Sequence, residues 1–180
     1  MVRCFVGLLT PKELNQNIRK VLEEIKKLPM KCKFVEEQNF HICLSFLGEV
    51  EKSEIEKIKK ILDSITFNFK SFEVLVEGIK LIPNKNFLRV IAFDVRDESK
   101  KIEELRRMIV NTIGGDSKPP HITLCRVKSV EKRDFVTKKL EEMKDLSIGK
   151  MKIDRLQIIK SELRKEGPVY SILHESKFKE

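Results

Sequence analysis

Apolar residues recur along this chain with two periods. Leu14, Ile18, Val21, Leu22, Ile25 and Leu28 fall at helical spacing, and Pro29 ends the run. Thr10-Pro11-Lys12-Glu13 precedes them and reads as a capping box with Pro at the first helical position. A second stripe, Ile55, Ile58, Ile61, Leu62 and Ile65, follows a second capping box at Ser53 and Glu56. Residues 33–47 between them read as extended, with a turn at 36–39. Period-two patterns predict strands at about 70–76 (KSFEVLV) and 87–95 (FLRVIAFDV). A helix is predicted near 98–112, with Ile102, Leu105 and Ile109 on one side. IGGDSKPP is a loop by its turn residues, and the strand HITLCRV follows it. A helix near 131–143 carries Val136, Leu140 and Met143, and the strands MKIDRLQIIK and GPVYSIL close the chain.

Each half therefore reads strand, helix, His-led strand, helix, strand. The His-led words HICLSFL, from residue 41, and HITLCRV, from residue 121, hold equivalent places and use two of the three histidines. The order is that of a duplicated unit. Pairing two such units about a pseudo-twofold axis brings the central strands face to face.

At 180 residues the chain is most economically one domain, or two small lobes sharing an interface. Its 41% hydrophobic residues can bury a core, and its 36% charged residues ionise the surface densely. The formal net charge of +9 suits a polyanionic partner, RNA or DNA ahead of a membrane surface. The competing reading is a solvated Lys/Glu-rich surface. KKLEEMKDL and EKSEIEKIKK fit it as helix faces with i,i+4 pairs. The apolar run CFVGLL is too short for a signal sequence, and no run approaches the ~20 apolar residues of a membrane span. These features predict a cytoplasmic protein with no membrane partner. Cys4, Cys32, Cys43 and Cys125 include no C-x-x-C pair, which argues against a disulfide framework and a conventional structural zinc site.

Strand alternation assigns faces within the two His words. Phe40, Ile42, Leu44 and Phe46 share a core face, leaving His41, Cys43 and Ser45 on the other. In the second word Ile122 and Leu124 point to the core, and His121, Thr123 and Cys125 point away from it. Two imidazoles facing across a cleft suit general acid–base chemistry, since each titrates near neutrality. Hydroxyls two residues along can donate to an anion held between them. In a basic protein that anion is best read as a phosphate ester. No P-loop or G-x-G-x-x-G supplies a nucleotide cradle.

At these residues the chain resembles the 2H phosphoesterases, named for paired H-x-[T/S]-x motifs, and among them the RNA 2′,3′-cyclic phosphodiesterases, also called 2′-5′ RNA ligases. RCFVGLL resembles the family's first strand, FVEEQNFHICLSFLGEV its first motif, KPPHITLCRVK its second, and SELRKEGPVYSIL its closing hairpin. The resemblance implies a bilobal α+β fold over 1–180, two intertwined lobes with mainly antiparallel sheets facing a central cleft and helices outside. Each lobe contributes one motif, at 41–44 and 121–124. It implies hydrolysis of RNA 2′,3′-cyclic phosphate ends, such as those of tRNA fragments, to 2′-phosphates. It further implies no metal or other cofactor, a monomer, and possible reverse 2′-5′ ligation. His41 would be the proton donor and His121 the proton acceptor. Cys43, Ser45, Thr123 and Arg126 would bind substrate. Cys43 stands where the family usually has Thr or Ser. Arg126 matches a substrate-binding position, yet strict alternation puts it opposite His121.

Two other readings compete. His41, Cys43, His121 and Cys125 could converge as zinc ligands, although such ligands normally come in tight local pairs. A non-catalytic basic RNA-binding module would need a stacking platform, and the aromatic residues, 7% of the chain, sit mostly at core-like Phe positions. His174 has no partner motif and reads as a surface or hairpin residue.

Overall fold

In the computed structural model, which describes residues 1–179, the elements run in this order: β1 (Val2–Leu9), α1 (Lys12–Lys26), β2 (Met30–Phe34), β3 (His41–Val50), α2 (Lys52–Phe67), β4 (Phe72–Ile82), β5 (Val90–Arg96), α3 (Lys101–Thr112), β6 (His121–Val130), α4 (Arg133–Glu141), β7 (Ser147–Ile153), β8 (Arg155–Leu163) and β9 (Pro168–Lys177). Neighbouring strands are antiparallel, in the order β7-β4-β5-β6-β3-β1-β8-β9, and β2 pairs with the outer part of β6. The middle of this path is thin. β3 meets β6 through one register pair, Ile42 opposite Ile122. The sheet is therefore two lobes joined at one point.

A pseudo-twofold relation maps β3 onto β6, β1 onto β5, β8 onto β4 and β9 onto β7. Two helices, α1 and α3, are exchanged between lobes. α1 follows β1 but lies on β7, where Asn17 Nδ2 donates to the Ile148 carbonyl at 2.9 Å. α3 follows β5 but lies on β3, while α2 covers β8 and β9. The helical stripe explains the docking. Leu14, Ile18, Val21, Leu22 and Ile25 of α1 are all buried, each burial stabilising by ~1.5–3 kcal/mol.

Several elements differ from the sequence reading. Neither capping box forms. Pro11 is the N-cap of α1, and Thr10 instead donates from its N–H (3.0 Å) and its Oγ1 (3.1 Å) to the Phe40 carbonyl. Glu51 caps α2, so Ser53 lies inside the helix. MKIDRLQIIK is two strands in different lobes. The chain crosses over at Asp154, whose carbonyl accepts from the Phe178 N–H at 2.8 Å. The lysine–glutamate pairs of the exposed helix faces are spaced i,i+3, as at Glu23–Lys26 and Glu54–Lys57. Among the described residues no helix is long and apolar enough to cross a membrane.

Both His strands carry a β-bulge at the same offset. Val6 pairs with Ser45 and Gly7 with Cys43, so Leu44 is skipped. Ile91 pairs with Cys125 and Ala92 with Thr123, so Leu124 is skipped. A bulge adds one residue and inverts which face the following side chains take. Gly7 makes the first bulge possible. A Cβ there would overlap the Ile42 carbonyl oxygen and lie 3.2 Å from Cys43 Cα. Gly7→Ala is expected to lose about 1–3 kcal/mol of stability by overpacking. Urea unfolding checks this, and an unchanged midpoint would mean that the strand pair relaxes freely.

Candidate active site

The duplicated bulge decides which side chains reach the space between the lobes. Before it, alternation holds: Ile42 and Leu44, like Ile122 and Leu124, are buried, while His41 and Cys43, like His121 and Thr123, face the cleft. After it, the faces exchange. Ser45, expected in the cleft, is fully buried and donates from Oγ to the Gly114 carbonyl at 2.6 Å. Its counterpart Cys125 is also buried. Phe46, expected in the core, lines the cleft, and so does Arg126.

The two imidazoles are held alike. His41 Nδ1 lies 2.7 Å from the carbonyl of Asn39, and His121 Nδ1 lies 2.8 Å from that of Pro119. A carbonyl can only accept, so Nδ1 carries the proton in each ring. That leaves Nε2 as the site that gains or loses a proton. The surroundings differ. His41 sits under Phe5, with ring centroids 4.8 Å apart, and takes Tyr170 edge-on at 5.2 Å. Burial pushes the His41 pKa below the usual imidazole value; the Asn39 carbonyl opposes the shift, and the charges of His121 and Arg126 add to it.

Cys43 stands beside His41 on the cleft face. Burial, with a smaller contribution from the Asp116 carboxylate, pushes its thiol up to about 12. It is thus a protonated S–H donor at neutral pH. Burial also raises the Tyr170 hydroxyl.

These groups line a cleft of about 440 Å³. Arg3, Lys33 and Arg126 are its cations, and Phe5, Phe34, Phe46 and Tyr170 its rings. The aromatic surface that composition did not suggest is therefore present. The four proposed zinc ligands do not converge. Cys125 is buried outside the cleft lining, and its free thiol is hydrogen-bonded to that of Cys32. Among the described residues no group of three or more His, Cys, Asp or Glu side chains is arranged to hold a metal ion. His174 lies outside the cleft, on β9, where its Nε2 is 2.7 Å from Asp63 Oδ1 of α2.

The family model for LigT-like phosphoesterases matches residues 8–92 and 94–170, which takes in both His strands and the closing hairpin as far as the start of β9. The chain belongs to that family. As a LigT-like phosphoesterase it has relatives along nearly its whole length. It is 30% identical over 182 residues to an RNA 2′,3′-cyclic phosphodiesterase of Thermotoga maritima, covering 98% of this chain and 96% of the relative. It is 25% identical over 175 residues to one of Methanothermobacter thermautotrophicus, covering 94% and 95%. E. coli LigT complexed with 3′-AMP shares the fold, with a TM-score of 0.78 at 18% identity over 99% of each chain.

Arg3, Phe5, Phe46, Lys33 and Tyr170 were not found by sequence reasoning. Arg3 and Phe5 were within reach of it, because Cys4, Val6 and Leu8 are plain core residues and alternation sends Arg3 and Phe5 the other way. Phe46 needed the bulge, and Lys33 and Tyr170 needed the tertiary fold.

The thiols of this phosphoesterase are expected to react unequally. Cys32 is half-buried, and the hydrogen bond from Cys125 lowers its pKa, whereas Cys43 is held near 12. Since the thiolate is the nucleophile, iodoacetamide at about pH 8 should label Cys32 first and leave Cys43 unmodified. Peptide mapping by mass spectrometry checks the order, and early labelling of Cys43 would contradict its protonated state.

Proposed function

We propose that the protein hydrolyses 2′,3′-cyclic phosphate ends of RNA to 2′-phosphomonoesters with its own two histidines. The observation that carries this reading is the pair of imidazoles, each with Nδ1 on a carbonyl two residues earlier and Nε2 free toward one cationic cleft. The names borne by the relatives support it. His121 Nε2 takes a proton from water as its oxygen bonds to phosphorus. The bond from phosphorus to the 3′ oxygen breaks, and that oxygen takes the proton of His41 Nε2. The products are a 3′-hydroxyl and a 2′-phosphate. The cycle leaves His41 neutral and His121 protonated, and exchange with solvent resets both. Charge growing on the non-bridging oxygens meets the Thr123 hydroxyl and the Cys43 thiol, and Arg126 lines the same cleft. An RNA 5′-hydroxyl attacking the cyclic phosphate in place of water, with the same departure of the 3′ oxygen, would give a 2′-5′ linkage. Every group used comes from one chain, so the chemistry needs no second copy.

The deciding experiment is incubation of an oligonucleotide ending in a 2′,3′-cyclic phosphate with the protein and a chelator. A 2′-phosphate is expected; a 3′-phosphate, or no turnover, would sink the reading. His41→Ala and His121→Ala should each lower kcat by ~10²–10⁴-fold with folding intact. Cys43→Thr restores a hydroxyl donor and should hold or raise kcat, by less than the ~10²–10³-fold that a strong oxyanion donor contributes.

The pH dependence follows from the sign of the His41 shift. A proton donor fails as pH rises through its pKa. In the empty cleft that pKa is depressed by burial, and a bound anionic ester raises it again. The alkaline limb of kcat/KM, which reports the free enzyme, should lie at lower pH than that of kcat. Rate measurements between about pH 5 and 9 check this. Coincident limbs would remove His41 from the donor role.

A further inference from the structure

Lys33 of β2 and Arg126 of β6 stand directly opposite each other in the strand register. Opposed side chains share a face with Cβ atoms ~4.5–5.5 Å apart, and like charges so placed repel. Both line the cleft. Neither has an ion-pair partner among the described residues, whereas the strand arginines Arg96 and Arg155 are matched, Arg96 with Glu77 and Asp94, Arg155 with Asp154 and Glu175. Two carboxylates lie at the same end of the cleft without compensating the pair. Glu36 is bonded to Gln38, and Glu166 forms no ion pair with either cation. Lys33 extends toward the β8–β9 turn, its Nζ 4.0 Å from where a Cβ would stand on Gly167. At the other end of the cleft Arg3 is already engaged, its guanidinium 4.7 Å over the Phe46 ring. The antiparallel course of β3 and β6 separates these ends. One end thus holds two opposed cations with nothing between them.

We propose that Lys33, with Arg126, seats the internucleotide phosphate on the 5′ side of the reacting end, so that the cleft selects an RNA chain over a lone cyclic nucleotide. The inference rests on the cyclic-phosphodiesterase reading above. Three strand positions separate Thr123 from Arg126, ~10 Å in an extended chain and less across the bulge. A reacting phosphate beside Thr123 and a second one between Lys33 and Arg126 are then about a nucleotide apart, once the two long side chains reach inward. The anion also removes the repulsion that the empty pair carries.

The test compares wild type, Lys33→Gln and Lys33→Arg on a 2′,3′-cyclic mononucleotide and on a dinucleotide with the same cyclic end. Lys33→Gln should lower the dinucleotide-to-mononucleotide ratio of kcat/KM by ~10-fold, the scale of one charge-assisted contact. Lys33→Arg should restore most of the ratio. The same proteins are titrated calorimetrically with the 2′-phosphorylated mononucleotide and dinucleotide products. For the dinucleotide, the slope of log affinity on log salt should fall by ~0.7 in Lys33→Gln, one phosphate contact on a single strand. Equal losses on both substrates, or no loss on either, would overturn the proposal. If the wild type turns over neither substrate, the activity reading fails and the titrations decide: selective weakening of the dinucleotide upholds the Lys33 seat, and equal weakening or none overturns it.

Discussion

Among the described residues β3 meets β6 in register only at Ile42 and Ile122, and both side chains are fully buried. This single contact sets the geometry of the cleft. The residues before each Ile are the histidines, so one pair fixes the approach of two imidazoles. Beyond it the strands cannot stay together, because each has another partner. β2 takes the outer part of β6, and Asp116 bridges to Phe46 on the outer part of β3, with N···O distances of 2.7 and 2.9 Å. The two lobes therefore splay from a common point, and the space that opens is the site. The loop at residues 113–120 and strand β2 serve the same purpose in their respective halves, although only one of them is regular enough to be a strand.

The sequence showed the repeat, the two helical stripes, the His strands and the faces of residues 40–44 and 121–124. These follow from local periodicity, which needs no knowledge of neighbours. It failed where register between strands takes over. Ser45 and Arg126 were assigned to the wrong faces because a bulge depends on the partner strand, here on Gly7 and Ala92. The signal lay in the chain as Gly7 in an otherwise apolar strand, since an isolated glycine there often marks a bulge or a close approach. The capping boxes failed for a related reason. Thr10 hydrogen-bonds the Phe40 carbonyl, next to His41, and the Asn15 side chain, and caps no backbone N–H of the helix. A local motif was outbid by a tertiary contact that holds the active-site strand.

A duplicated backbone raises a chemical difficulty. The proposed acid and base must be in opposite protonation states, yet matching bulges and carbonyl partners would give two identical histidines. The side chains break the symmetry. His41 lies beneath Phe5 and Tyr170, while no ring covers His121 among the described residues. The position after the bulge is Phe46 in one strand and Arg126 in the other. The lobe of β3 thus supplies apolar cover, which disfavours charge on its histidine until an anion arrives. The lobe of β6, with β2 on its edge, supplies Lys33 and Arg126, two cleft cations without an ion-pair partner among the described residues. Neither lobe suffices alone, and the exchange of α1 and α3 between them ties their folding together. The backbone turns two equivalently held imidazoles to one cleft, and in the proposed reaction their unlike neighbours give them different work.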